Sequence, residues 1–387
     1  MKFYMSQSAI LQGIQTVQRA VPLKSPLTYL QAILLKAQGN RLFFAATDME
    51  LGILYEQDAQ IEEEGSILLP ARLFSEIIRR LPEDIIECES TGRSIVLRYG
   101  DADFTLNGFD PEEFPEISGV SGSIRIKLPG QILKKLIHQV SFACKIDDEK
   151  GGVFAGILVK IADGLLTLVA TDTHRLAINT ESYDYIADDN EGDEESSSQS
   201  LSYSWIIPNK SMLEIGRLLR NDDIVVIEGN RESSRLNFKF GDHTSSIYVM
   251  TRIIEGRFPN YQQVIPSTCS GRILLDRELL LEAAERANLL SRDSYLKTST
   301  VRLSIEDQAI VINQVSEMGK IFEKVPVEFT GDGVSITFNV RYIIEALKNM
   351  DSQKVMMEIS GAFGPCVFRP YDSENESYIS LILPLRH

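Results

Sequence analysis

An α+β fold, made of three repeated domains that each pack two helices on antiparallel sheets, is predicted by three observations. The chain has 387 residues, too many for one ordinary core and suited to two or three. A β-rich run leading into an amphipathic helix occurs three times, and within that helix the charges recur at the same offsets.

The three runs are Gly65-Ser66-Ile67-Leu68-Leu69-Pro70, Ser204-Trp205-Ile206-Ile207-Pro208 and Val334-Ser335-Ile336-Thr337-Phe338-Asn339. Helical periodicity follows over 71–81, 209–219 and 340–350. Proline suits a helix start, where its missing N–H is no loss. Asn339 suits an N-cap, because its side-chain oxygen can accept an orphan amide. The charges are Arg72, Glu76 and Arg79; Lys210, Glu214 and Arg217; and Arg341, Glu345 and Lys348. Spacings of four and then three place each set on one helical face, leaving apolar residues to cover a sheet. In a single helix such a set is ordinarily a solvated face with weak ion pairs. Three copies point to common ancestry and a shared exposed surface.

Other elements recur with it. Leu42-Phe43-Phe44-Ala45-Ala46-Thr47-Asp48 parallels Leu166-Thr167-Leu168-Val169-Ala170-Thr171-Asp172, an apolar strand ending in Ala-Thr-Asp. Phe109-Asp110-Pro111-Glu112-Glu113-Phe114-Pro115 parallels Ile254-Glu255-Gly256-Arg257-Phe258-Pro259. Each copy opens with a helical stretch, over 6–20, 129–142 and 277–291. The domains expected are 1–120, 121–267 and 268–387, with boundaries in the Ser/Gly-containing linkers at 118–123 and 267–271. An acidic insertion over about 183–200 lengthens the second copy and reads as a solvated loop.

Hydrophobic residues make up 43% and charged residues 24%, ordinary for a soluble domain. The four cysteines (Cys88, Cys144, Cys269 and Cys366) are isolated, which argues against a disulfide framework or zinc ribbon and fits a reducing cytoplasm. No apolar stretch has the length of a signal peptide or a membrane span.

A net charge of −16 argues, taken whole, against nucleic acid. The distribution argues otherwise. Over the six helical segments (6–20, 70–81, 129–142, 208–220, 276–292 and 339–350) fourteen bases face seven acids, a net of +7, so the rest of the chain carries −23. The bases include Arg72, Arg79, Lys134, Lys135, Lys210, Arg217, Arg341 and Lys348, the candidates for contact with phosphate. The fifth segment is net negative, so the stripe is uneven. Diffuse positive charge without base-reading motifs suits binding that is sequence-independent and permits sliding.

An enzyme is the weaker reading. The four histidines (His138, His174, His243 and His387) lack partners at metal-ligand spacing, and no phosphate-binding loop or nucleophile elbow occurs. No catalytic residue, metal or cofactor is expected. The Thr-Asp pairs at 47–48 and 171–172 read as turn residues satisfying the backbone.

Five motifs stand in order along the chain: Ala46-Thr47-Asp48-Met49-Glu50; Ala170-Thr171-Asp172-Thr173-His174-Arg175-Leu176-Ala177; Gly256-Arg257-Phe258-Pro259-Asn260-Tyr261; Phe338-Asn339-Val340-Arg341-Tyr342; and Leu383-Pro384-Leu385-Arg386. With them the chain resembles the bacterial DNA polymerase III beta subunit, the sliding clamps. The resemblance implies three DNA-clamp domains per chain, joined head to tail with a second chain into a ring around duplex DNA. It implies a non-catalytic processivity factor in the cytoplasm at the nucleoid, with the DNA polymerase III alpha subunit, the clamp loader and other proteins bearing clamp-binding motifs as partners.

It further implies a peptide-binding pocket walled by Phe154, Thr171, Thr173, His174, Arg175, Leu176, Pro259, Val264, Tyr295, Asn339, Tyr342, Phe363, Leu383, Pro384, Leu385 and Arg386. An apolar groove with a few polar anchors suits the Leu and Phe side chains of an extended peptide. Thr173 stands where many members carry glycine or serine, and His387 where leucine or a longer tail is frequent. Ring closure is implied to bring Phe104 and Leu106 against Leu289 and Leu290 of a second copy, and Lys24 to meet DNA. The alternatives are a protein-only scaffold and a diverged clamp paralogue.

Overall fold

The alternation of apolar runs and amphipathic segments becomes one order of elements, repeated three times in the computed structural model, which describes residues 1–117, 124–146, 151–185, 202–230, 234–290, 299–316, 319–371 and 377–385. The first repeat runs β1 (Lys2–Ser6), α1 (Gln7–Val17), β2 (Ala32–Gln38), β3 (Arg41–Thr47), β4 (Leu51–Asp58), β5 (Gln60–Glu63), β6 (Gly65–Pro70), α2 (Ala71–Arg80), β7 (Ile85–Thr91), β8 (Ser94–Tyr99) and β9 (Ala102–Asn107). The second runs β10 (Ile124–Pro129), α3 (Gly130–Ser141), β11 (Gly156–Ala162), β12 (Leu165–Thr171), β13 (Arg175–Ser182), β14 (Asp184–Tyr185), β15 (Tyr203–Pro208), α4 (Asn209–Leu218), β16 (Ile224–Gly229), β17 (Arg235–Gly241) and β18 (Ser245–Arg252). The third runs β19 (Gly271–Asp276), α5 (Arg277–Leu289), β20 (Thr300–Glu306), β21 (Ala309–Ser316), β22 (Gly319–Pro326), β23 (Glu328–Gly331), β24 (Ser335–Asn339), α6 (Val340–Lys348), β25 (Lys354–Ile359), β26 (Cys366–Pro370) and β27 (Ile379–Ile382). Counterparts in successive repeats are therefore nine strands apart.

The helices fall where the periodicity predicts, with ends one to three residues shorter. Pro70 ends β6 and sits at the cap of α2, one residue before the first helical turn. The first helix passes into a 3₁₀ turn at 18–20, ahead of Pro22. Asn339 caps α6, accepting from the Arg341 N–H at 3.1 Å. Asn349 ends that helix by donating from its side chain to the Glu345 carbonyl at 2.7 Å. The expected linker at 118–123 and most of the acidic insertion lie outside the described residues.

The chain divides into two compact units, and two of the cuts fall inside α3 and α4 of the second repeat. The first unit comprises Met1–Lys134, Tyr183–Ser197 and Glu214–Ile253. It holds a five-stranded sheet, β5-β1-β7-β8-β9, and a nine-stranded sheet, β14-β10-β16-β17-β18-β4-β3-β2-β6. In the larger sheet β18 of the second repeat pairs antiparallel with β4 of the first: Val249 lies opposite Ile53 and Ile247 opposite Tyr55, all four buried. Ile10, Ile14 and Val17 of α1 and Phe74 and Ile78 of α2 supply buried stripes at helical spacing.

The second unit comprises Lys135–Ser182, Ser198–Leu213 and Ile254–His387. Its nine-stranded sheet is β15-β11-β12-β13-β27-β26-β25-β19-β23 and its four-stranded sheet β22-β21-β20-β24. Here β13 pairs with β27, with Leu176 opposite Leu381 and Ile178 opposite Ile379. Leu280, Ala283, Ala284 and Ala287 of α5 join Ile343 and Leu347 of α6 over Phe338 and Phe368. The small residues of α5 let the two helices approach closely.

Candidate functional site

The turn between β12 and β13 shapes the site. The Thr171 hydroxyl donates to the Arg175 carbonyl at 2.6 Å and accepts from the Thr173 N–H at 3.1 Å. Asp172 Oδ1 accepts from the His174 and Arg175 amides at 2.9 and 3.1 Å. The turn between β3 and β4 repeats this bond for bond. There Thr47 donates to the Leu51 carbonyl and accepts from Met49, while Asp48 Oδ1 accepts from Glu50 and Leu51. The Thr-Asp pairs are thus turn devices, as their sequence positions suggest.

Both turns need a left-handed residue, Met49 at φ 78° and Thr173 at φ 79°. A β-branched side chain is strained there. Thr173→Gly is expected to stabilise the second unit by about 0.5–1 kcal/mol, strain relief outweighing the entropy of glycine. The urea midpoint measures this, and a fall would mean that the threonine side chain contributes contacts exceeding its strain.

Beside this turn opens an apolar cavity of about 230 Å³, lined by Phe154, Thr171, Thr173, Arg175, Leu176, Pro259, Asn260, Tyr261, Val264, Leu381 and Leu383. Eight of these are residues the family resemblance nominates. Asn260, Tyr261 and Leu381 are additions with legible signals. The first two complete the Gly-Arg-Phe-Pro-Asn-Tyr motif, and Leu381 lies two residues before Leu383, on the same face of one extended segment. Burial raises the Tyr261 phenol above its ordinary pKa. The Leu383 N–H donates to the His174 carbonyl at 2.9 Å, and the Leu385 N–H to the Thr337 carbonyl at 2.8 Å.

The other nominated residues stand off the cavity wall. His174 is exposed, Asn339 caps α6, and Pro384 and Leu385 continue the tail past β24. Phe363 is 69% exposed in the loop before β26. Tyr295 and Arg386 lie outside the described residues.

Tyr342 reaches the site through Arg175. That guanidinium, only 6% exposed, donates to Asp172 Oδ2 at 3.0 Å and to Glu345 of α6. It lies 4.5 Å from the centroid of the Tyr342 ring and 5.4 Å from that of Phe142. Burial, and then the Asp172 carboxylate, raise the Tyr342 phenol, with Arg175 opposing.

Comparison with known proteins decides the family. Residues 1–118, 127–260 and 262–386 match the N-terminal, central and C-terminal domains of the DNA polymerase III beta subunit. The beta sliding clamp of Halalkalibacterium halodurans is 30% identical over the full length of both chains, and that of Bacillus subtilis 29%. The chain belongs to the DNA polymerase III beta subunit family. Solved relatives agree with this beta-subunit fold. A crystal structure of the DNA polymerase sliding clamp from Bacillus subtilis superposes with a TM-score of 0.89 at 28% identity, covering 100% of this chain and 99% of that one. The Pseudomonas aeruginosa DNA polymerase III subunit beta gives 0.87 at 25% identity, covering both chains completely.

The helix-face charges of this beta subunit make different bonds in each repeat. In the first, Arg72 Nε donates to Glu76 at 3.2 Å, and Arg79 reaches Ser75. In the second, Glu214 accepts from Arg217 and, at 3.0 Å, from Arg19. In the third, Glu345 turns to Arg175 and Lys348 pairs with Glu285 at 2.6 Å. Lys135 pairs with Glu181 at 3.1 Å, while Lys134 Nζ donates to the Leu219 carbonyl. Lys24, Lys210 and Arg341 are exposed. Of the residues nominated for chain association, Phe104 and Leu289 are exposed, Leu290 is half-buried and Leu106 is buried within its own sheet. The Phe104 ring stacks on Tyr99 with centroids 6.4 Å apart.

Proposed function

We propose that two copies of this sliding clamp close head to tail into a ring around duplex DNA, and that the apolar groove captures short peptides from a polymerase and a clamp loader. One observation carries the ring. Within the chain, repeats join twice by the same pairing, β4 with β18 and β13 with β27. One strand of each kind is left as an outer strand: β22, the counterpart of β4 and β13, and β9, the counterpart of β18 and β27. Outer strands offer unpaired N–H and C=O groups, and pairing β22 of each chain with β9 of the other closes a ring.

The apolar residues support the same arrangement. Phe104 and Leu106 are on β9, and a Leu290 methyl lies 3.9 Å from where a Cβ on Gly319, the first residue of β22, would stand. Three domains bounded near residues 120 and 267 follow from the three repeats of elements.

The DNA reading rests on the +7 balance of the helical segments against −23 elsewhere. Light scattering at micromolar concentration is expected to give a mass near twice 43.4 kDa. A monomer that persists at high concentration sinks the closed ring. Retention on circular DNA that is lost on linearisation separates an encircling clamp from a protein-only scaffold.

A further inference from the structure

The internal repeat fixes more than which edges meet; it fixes their register. In the row Phe3, Cys88, Leu97 and Phe104, each residue lies opposite the next across β1, β7, β8 and β9. The rows Ile126, Ile227, Phe238, Val249 and Ile273, Met357, Phe368, Ser380 repeat it in the second and third repeats. Phe104 therefore corresponds to Val249 and Ser380.

On the other side of each seam, Thr47 lies opposite Gly52, Thr171 opposite Leu176 and Val315 opposite Lys320, so Ile53, Ala177 and Ile321 correspond. Val249 pairs with Ile53 and Ser380 with Ala177. The third seam then places Phe104 of one copy opposite Ile321 of the other. The antiparallel ladder continues it as Leu106 with Gly319, Thr105 with Lys320, Asp103 with Phe322 and Ala102 with Glu323, where β9 begins after the turn that carries Asp101.

Alternation assigns the faces. Phe104, Leu106 and Ile321 share the core-facing side with Glu323, whose carboxylate Arg286 Nη2 already neutralises at 2.6 Å. The opposite side carries Lys320 and Lys324 on β22 and Asp103 on β9, and Asp101 stands in the turn between β8 and β9, all four exposed. Among the described residues, none of these four is in an ion pair. In this register Asp103 lies diagonally between the two lysines, within reach of long side chains, and the turn that carries Asp101 comes to the Lys324 end of β22. At the corresponding positions of the β4–β18 seam stand Leu54 with Tyr248 and Glu56 with Ser246, and no opposite-charge pair.

From this we infer that the seam between two copies is closed by a charge latch, basic β22 against acidic β9, which makes ring opening sensitive to salt in a way the seams inside the chain are not. The inference rests on the two-chain ring. Its test uses full-length chains, with the dimer dissociation constant read by sedimentation at low and high salt. The wild-type constant is expected to rise with salt. A chain with Asp101→Lys and Asp103→Lys opposes like charges at both seams, and so does one with Lys320→Glu and Lys324→Glu. Each alone should dissociate at least about tenfold more readily than wild type. Mixed one to one, they match opposite charges at both seams and should recover dimers close to wild-type affinity. One chain carrying all four substitutions should also recover. Variants that dimerise like wild type, or a mixture and a fourfold variant that both fail to recover, overturn the latch and leave the ring intact. A wild-type monomer instead overturns the ring.

Discussion

Arg175→Leu is expected to destabilise the second compact unit by about 3 kcal/mol, a fall of roughly 6–12 °C in its melting temperature. The repeat isolates the role of the guanidinium. Leu51 holds the corresponding place in the β3–β4 turn with the same backbone bonds, so leucine is compatible with the turn itself. What leucine cannot do is neutralise carboxylates. Glu345 is 42% exposed and can turn to water, whereas the Asp172 side chain is 13% exposed and loses its only cationic partner among the described residues. It keeps the His174 and Arg175 amides on Oδ1, which limits the loss. Removing one partner of a buried pair costs more than the pair contributes net, because a charge stays behind desolvated. Arg175→Lys separates charge from shape. Its single ammonium can serve one carboxylate and lacks the planar fork between Tyr342 and Phe142, so partial recovery is expected. A circular-dichroism melt of the three proteins decides the matter, and an unchanged melting temperature would show that desolvation of the arginine cancels its bonds.

The same arginine marks the boundary of what the sequence makes legible. Spacing placed Arg341, Glu345 and Lys348 on one helical face, and that face exists. It could not show that Glu345 turns away from its own helix to a residue 170 positions earlier, because i,i+4 rules describe neighbours on one helix only. Helices, hairpins and Thr-Asp turns were readable because their signals are local. Pairing of β18 with β4, or of β27 with β13, joins segments about 200 residues apart through backbone bonds that leave no periodic trace. That is why expected boundaries at 120 and 267 differ from the two compact units, each of which follows continuous sheets through half of the second repeat. The groove was legible through motif resemblance in most of its wall. The same resemblance nominates Phe363, which is 69% exposed in the loop before β26, while Tyr261 and Leu381 line the cavity beside the nominated residues.

That contrast supplies the second large effect. Val264→Asp is expected to weaken capture of a labelled short peptide bearing leucine and phenylalanine by about 30- to 150-fold, equivalent to roughly 2–3 kcal/mol. Val264 sits in the 3₁₀ turn at 261–264, half of it already in water at 49% exposure, so aspartate there should change the stability of the free protein by no more than about 0.5 kcal/mol. In the complex the peptide would cover that carboxylate against Leu176, Pro259 and Leu383, which carry no polar side-chain atom to receive it. Val264→Ala removes apolar surface without adding charge and should cost about 1 kcal/mol, near fivefold. Phe363→Asp lies off the cavity wall and should leave affinity within about twofold, since an exposed charge stays hydrated in both states. Equal losses from Val264→Asp and Phe363→Asp would extend the peptide's footprint to the loop before β26. No loss from Val264→Asp would remove the peptide from this groove altogether, because an apolar side chain cannot bury a carboxylate at no cost.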